Sequence, residues 1–365
     1  MTTQPDLLYS EEEDALRAAV RDLLADHCDP AAVLARIASD APHDRSLWKT
    51  LAQRMGLAGL LVPESLGGQG ATHREAAVVL EELGRSVAPV PYLTSAVVAT
   101  ETLLACGGEE AAGLLARLAS GQTVAALAVG PAARPGSAHP VVRHEQGVLH
   151  GELTALADAA VADVLLVPAR DGGLYAVDTD AVTLTPKVSL DLTRPLAAVT
   201  FDGAPGCRLT DDAGPVVQRA LRTGAGLLAS EQLGLADWCL TETVRYLKER
   251  RQFNRPVGGF QALKHRLAGL WLDIAGLRAA ARNAADALAT GSEDTDLAVA
   301  VAQAYAAPVA VRAAEEALQL HGGIGMTWEH PVHLYLKRAK SDSIAYGTAG
   351  AHRAAVAELA DLRAP

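Results

Sequence analysis

The hydrophobic period of this 365-residue chain changes twice, and that change constrains the fold more than any single motif. Up to about residue 120 the apolar residues recur at helical spacing. From about 121 to 215 they fall into short β-rich runs cut by Gly, Pro and Asp, and from 216 helical spacing returns. This order describes an α+β chain of three domains, 1–120, 121–215 and 216–365: an N-terminal helical domain, a small β-barrel-like domain and a C-terminal four-helix bundle.

The boundaries carry local signals. Ser10 precedes the acids of "EEEDALRAAVRDLLADH", with Leu16, Val20, Leu23 and Leu24 on one helical face, so it is expected to cap that helix. Gly56 is expected to close the amphipathic helix of "SLWKTLAQRM", and "REAAVVLEELGRSV" is expected to form another helix before the prolines of "APVPYL". The β-runs are "TVAALAV", "GVLHGEL", "ADVLLVPAR", "GLYAVD" and "LAAVTFDG". Beyond them, helices are expected over 216–250, 260–290, 294–320, 330–345 and 348–362, with Pro308 kinking or splitting the third.

Half the residues are hydrophobic, enough for a large core. With 32 basic and 43 acidic residues the net charge is −11, which argues against nucleic acid or an anionic membrane as partner. Cys28, Cys106, Cys207 and Cys239 have no metal-ligand spacing, as expected of buried thiols in a reducing compartment. The first residues lack a signal pattern and no apolar run reaches transmembrane length, so a cytoplasmic protein is expected.

Two stretches carry chemistry. "YLKERRQFNRPVGGFQALKHRLA" gathers Lys248, Arg250, Arg251 and Arg255 around Phe253, a cluster suited to a phosphate or to a solvated helix end. "ALQLHGGIGMTWEHPVHLYLKRAKSD" ends a helix in Gly322 and Gly323, as a bare ligand-facing backbone or a simple C-cap. His330 and His333 lie three apart without an evident third ligand, so no metal site is expected.

Together these stretches resemble the acyl-CoA dehydrogenase family over nearly the whole chain. "LWKTLAQRMGLAGLLVPESLGGQG" is similar to its first domain, "RRQFNRPVGGFQ" to its Arg-x-x-Phe-Gly motif with Asn254 in place of Gly, and "QLHGGIG" to its Gln-x-x-Gly-Gly-x-Gly signature. The resemblance implies the same α, β, α fold, FAD as cofactor, and oxidation of an acyl-CoA thioester to the 2-enoyl-CoA. In that reaction a carboxylate takes the α-proton, and the electrons pass on to an electron-transfer flavoprotein.

The family's base positions do not hold carboxylates here. Counting from Gln319, the usual Glu is Tyr346, followed by Gly347 and Thr348; the alternative position falls on Gly224, beside Ala225. A tyrosine of ordinary pKa is about one-thousandth phenolate at neutral pH. Glu231, two turns past Gly224, is the remaining candidate base, with a structural acid paired to an Arg as its other reading. The β-domain reads "VGPAARPGSAHP" and "GELTALADAAVAD" where the family's own flavin-ring segments lie.

In the family, FAD lies across a subunit interface. Arg250, Phe253, Gln261, Gln319, Gly322 and Gly323 match the residues that reach a neighbour's FAD, and Thr348 is a further expected contact. The resemblance therefore implies the smaller, base-less subunit of an α2β2 acyl-CoA dehydrogenase of the actinobacterial steroid side-chain type, partnered by a base-containing subunit. A bulky acyl-CoA would need an open pocket between the first C-terminal helix and the β-domain, which the small residues Gly224, Ala225 and Gly226 permit. A homo-oligomeric flavoenzyme using Glu231 and a flavin-free acyl-CoA-binding or scaffold protein remain open alternatives.

Overall fold

In the computed structural model, which describes residues 5–136 and 140–362, the first four helices each begin at a side-chain cap. Ser10 and Glu13 form a reciprocal capping box at the start of α1 (Glu11–His27), and Thr72 and Glu75 repeat it for α4 (His73–Arg85). Between them, α2 (Pro30–Ile37) and α3 (Arg45–Lys49) lead into a π turn over Thr50–Arg54, which Gly56 ends at φ +71°. A second π stretch (Tyr92–Ala99) runs into α5 (Thr100–Cys106), followed by α6 (Gly108–Ala119).

The middle region is two four-stranded sheets rather than five runs. One has the order β1 (Ala125–Leu127), β4 (Val164–Pro168), β5 (Leu174–Asp178), β8 (Cys207–Thr210); the other β2 (Arg143–Glu145), β3 (Val148–Ala157), β7 (Leu196–Pro205), β6 (Thr183–Lys187). β1 pairs parallel to β4 and the other pairings are antiparallel. Leu149, Leu156, Leu165, Val167, Tyr175 and Phe201 belong to the one core that the sheets share. The short β2, β6 and β8 escape sequence reading because they are mostly solvent-facing and offer no apolar alternation.

α7 (Ala213–Glu249) is the axis of the rest. Every residue from Thr223 to Ala236 is buried, which requires neighbours on all sides, and α4, α8 (Gln261–Thr290) and α9 (Thr295–His321) supply them. α4 crosses it at two glycines: a Cβ on Gly234 would lie 1.7 Å from the Glu81 carbonyl oxygen, and one on Gly84 2.1 Å from that of Glu231. Buried Arg282 of α8 donates to Glu13 of α1 at 2.8 and 2.9 Å, tying the first helix to the bundle.

Three expectations are corrected. α9 runs unbroken through Pro308, so the proline does not split it. α9 is also long and apolar enough, by length and composition, to span a bilayer; here most of that window is buried against α7, α8, α10 (Val332–Asp342) and α11 (Ala349–Leu359). Only Cys28 and Cys239 are buried thiols, whereas Cys207 is exposed.

Candidate functional site

The two ends of α7 carry the predicted residues. At its C-terminal end, Arg250 leaves the helix and β9 (Arg251–Gln252) turns back on β10 (Arg255–Pro256) through Phe253 and Asn254, at φ +49° and +57°. Asn tolerates this left-handed conformation better than other side chains, which explains how Asn254 can stand in a glycine position. Phe253 is 85 % exposed, and the Arg255 guanidinium lies 3.8 Å over the Phe260 ring. Gln261 opens α8 beside this turn, exposed.

α9 stops at the same end. His321 stacks on Tyr246 of α7 at 4.6 Å between ring centroids, bringing Gln319, Gly322 and Gly323 towards the turn at Arg250. Gly322 has φ +63°, and nothing lies within 4 Å of a Cβ built on either glycine. Arg250, Phe253, Gln261, Gln319, Gly322 and Gly323 are therefore all exposed at one end of the bundle, presenting guanidinium, ring and bare backbone to the outside.

Tyr346 lies elsewhere. Gly224 is 26 residues before Arg250 on α7, about 39 Å along the helix axis, and it is here that Tyr346 packs. A Cβ on Gly224 would meet Tyr346 Cε1 at 3.0 Å and Val98 Cγ2 at 2.9 Å. The two positions where the sequence lacks a carboxylate thus touch each other, the ring of one covering the bare backbone of the other. Tyr346 N donates to the Pro131 carbonyl at 3.1 Å, and its own carbonyl lies 3.0 Å from His352 Nε2. Burial pushes its hydroxyl above the ordinary tyrosine pKa, so it stays protonated at neutral pH. Thr348 is set apart from the Arg250 end; its Oγ1 accepts from Ala351 N at 3.3 Å and caps α11.

Glu231 is buried beneath this contact. Arg194 Nη2 donates to its two oxygens at 2.8 and 2.6 Å, and Arg338 Nη1 donates to Oε1. Arg338 also holds Asp191 and Thr193, while Arg194 Nη1 reaches Asp342 Oδ1 at 2.9 Å. Burial alone would raise the Glu231 pKa, but the two guanidinium groups outweigh it and hold the carboxyl below its ordinary value. Asp342 moves the other way, pushed up by burial and by the negative charge of Glu231. A carboxylate clamped by two arginines is a weak base with no oxygen free for a substrate proton, a geometry that matches the structural-acid reading of Glu231. Sequence reasoning did not single out Arg194 or Arg338; the available signal was a lone Arg in "DLTRP" and another in "LKRAK", each distant from Glu231 in sequence.

Residues 10–122 match the family description "Acyl-CoA dehydrogenase, N-terminal domain" and residues 213–360 match "Acyl-CoA dehydrogenase, C-terminal domain". The acyl-CoA dehydrogenase IpdE2 of Mycolicibacterium smegmatis is 38 % identical over 332 residues, covering 90 % of this chain and 93 % of that protein. The chain belongs to the acyl-CoA dehydrogenase family. Among solved structures of the family, the ChsE4–ChsE5 complex from Mycobacterium tuberculosis superposes with a TM-score of 0.86 at 30 % identity, covering 98 % of this chain and 100 % of that one. A variant of the Tcur3481–Tcur3483 steroid ACAD gives 0.85 at 31 % identity, with 96 % and 98 % covered.

Family membership implies FAD, and the two ends of α7 suit it differently. Beside Tyr346 about 120 Å³ is open, walled mostly by apolar side chains such as Leu93, Val98, Val129, Leu156 and Leu196, with Thr94, Arg194 and Ser341 as its other polar residues. The Arg250 end has the donors and open backbone that a pyrophosphate requires. Of the divergent β-domain segment, Ser137, Ala138 and His139 lie outside the described residues.

A larger cavity of about 600 Å³ lies between the β-sheets and the first turns of α7, walled by Val129, Ala133, Val142, Leu153, Val217 and Leu221 with Glu152 and Gln218. It is not made by Gly224, Ala225 and Gly226 as expected. Ala225 O accepts from Gln303 of α9 at 2.7 Å, and a Cβ on Gly226 would strike Leu288 and Val299, so both residues are committed to the bundle interior.

Proposed function

We propose that this acyl-CoA dehydrogenase chain is the FAD-supporting, base-less subunit of an α2β2 enzyme whose partner subunit carries the base. The observation that carries this reading is the contact of Tyr346 with Gly224: both places from which a family member presents its carboxylate are empty of acid and fill one another. The fully exposed Arg250 end supports the second half of the reading, because it is built for a group that lies outside this chain.

In this assembly Arg250 and the Gly322-Gly323 backbone hold the pyrophosphate of the FAD whose ring lies in the partner, and Phe253, Gln261 and Gln319 flank it. The bound FAD supplies the hydride acceptor for α,β-dehydrogenation of an acyl-CoA, and an electron-transfer flavoprotein receives the electrons. The similarity to a steroid ACAD supports a steroid-derived CoA thioester as the substrate, in the cytoplasmic setting proposed for the assembly.

Expression alone and together with a base-containing relative tests the assignment. The chain alone is expected to be colourless and inactive, and the co-expressed complex yellow and able to reduce a dye with acyl-CoA. A yellow, active chain on its own would overturn the proposal, and a complex that stays colourless yet binds acyl-CoA would leave the scaffold reading in its place.

A further inference from the structure

His321 closes α9 with only 2 % of its surface exposed. Its Nδ1 lies 2.7 Å from the Ala317 carbonyl oxygen, so Nδ1 carries the proton and Nε2 is a bare acceptor. That Nε2 is buried and has no hydrogen-bond partner. Buried polar atoms are so regularly satisfied that one left open points to a water or an ion.

Two further ligand types surround it. His330, from the segment after the Gly-Gly turn, has its ring centroid 4.3 Å from that of His321, and Glu242 approaches from α7. One ligand atom from each of the three lies within 4.8 Å of the others. Ligands bonded tetrahedrally at about 2.0–2.1 Å stand about 3.4 Å apart, so closure asks roughly 1 Å of side-chain movement. His330 and Glu242 are both only partly buried and can make it. Glu242 is paired with Arg245 through both oxygens, but Arg245 Nη1 also reaches Glu249 at 2.9 Å and keeps that partner if Glu242 turns.

We propose that Glu242, His321 and His330 form a site for a divalent transition ion of the zinc class, with three protein ligands and one open position. The hydrogen bond to Ala317 aims the His321 lone pair, as outer-shell bonds do in imidazole metal sites. The ion would tie α7 to the turn bearing Gly322 and Gly323, fixing the backbone that faces outward there. His333, which spacing alone pairs with His330, does not join this group; its Nε2 lies 3.4 Å from the Trp328 carbonyl oxygen.

The test uses the full chain, stripped with a chelator and titrated with Zn²⁺ and with Co²⁺. One equivalent of each is expected to bind, Zn²⁺ raising the unfolding midpoint and Co²⁺ giving the visible absorption of a four-coordinate site. Glu242→Gln and His330→Ala should each weaken Zn²⁺ binding at least tenfold, while His333→Ala leaves it unchanged. No stoichiometric binding by the native chain, undiminished binding in both ligand variants, or loss in His333→Ala would each overturn the site. If His330→Ala does not fold by circular dichroism, the near-isosteric Glu242→Gln decides alone.

Discussion

The two ends of α7 treat their polar groups in opposite ways, one burying them and the other exposing them. Around Gly224 and Glu231 everything is turned inward: a tyrosine ring covers a glycine, and two arginines consume a glutamate. Around Arg250 everything is turned outward, with a phenylalanine 85 % exposed and two glycines whose Cβ positions are empty space. Burial of charge makes the first region a determinant of stability. Exposure makes the second dispensable to the fold and available to a ligand or partner.

The comparison breaks most visibly at Arg338. Arg338→Ala leaves Glu231 and Asp191 buried beside a lost cation, which is expected to destabilise the chain by about 3–5 kcal/mol in denaturant unfolding. A change below about 1 kcal/mol would show that the inward cluster does not hold the fold.

The pH dependence sharpens the same point. The Glu231 pKa is depressed on folding, so its contribution is complete above the ordinary carboxylate range, about pH 4.3, and is lost as pH falls through that range and below. Asp342 is shifted upward, so ionising it costs stability as pH rises from its ordinary value. Thermal unfolding should therefore show a falling midpoint on acidification, and Asp342→Asn should gain on the parent chain as pH increases. A variant that tracks the parent at every pH contradicts this assignment.

At the outward end the expected effect is on the cofactor rather than the fold. Arg250→Ala should lower FAD retention by the assembled complex about tenfold, the worth of one charge-assisted hydrogen bond, with an unchanged unfolding midpoint. Retention equal to the parent's would remove Arg250 from the proposed site. The smallest effect belongs to Tyr346→Phe, which keeps the ring on Gly224 and should leave turnover of the complex within about twofold. A large loss there would make the tyrosine hydroxyl a participant and end the distinction between the two regions.

Much of the fold was legible because its signals are local. The box of Ser10 with Glu13 needs only three residues of separation, and Gly56 announces its positive φ by being glycine. β2, β6 and β8 were not legible, because short solvent-facing strands show no apolar alternation. Pro308 misled for a related reason: a local cost inside a long helix is small beside the burial that α7, α8 and α11 provide around α9.

The site divides in the same way. Sequence by itself determined which chemical groups are present and which are missing: acids absent at 224 and 346, cations and glycines retained at 250, 322 and 323. Only the tertiary structure decided what the groups do. It set Tyr346 on Gly224, 122 positions away, committed Glu231 to arginines at 194 and 338, and drew Glu242 and His330 around His321. Basicity, ligation and cavity volume depend on distances of a few ångströms between residues far apart in the chain, and no spacing pattern encodes them.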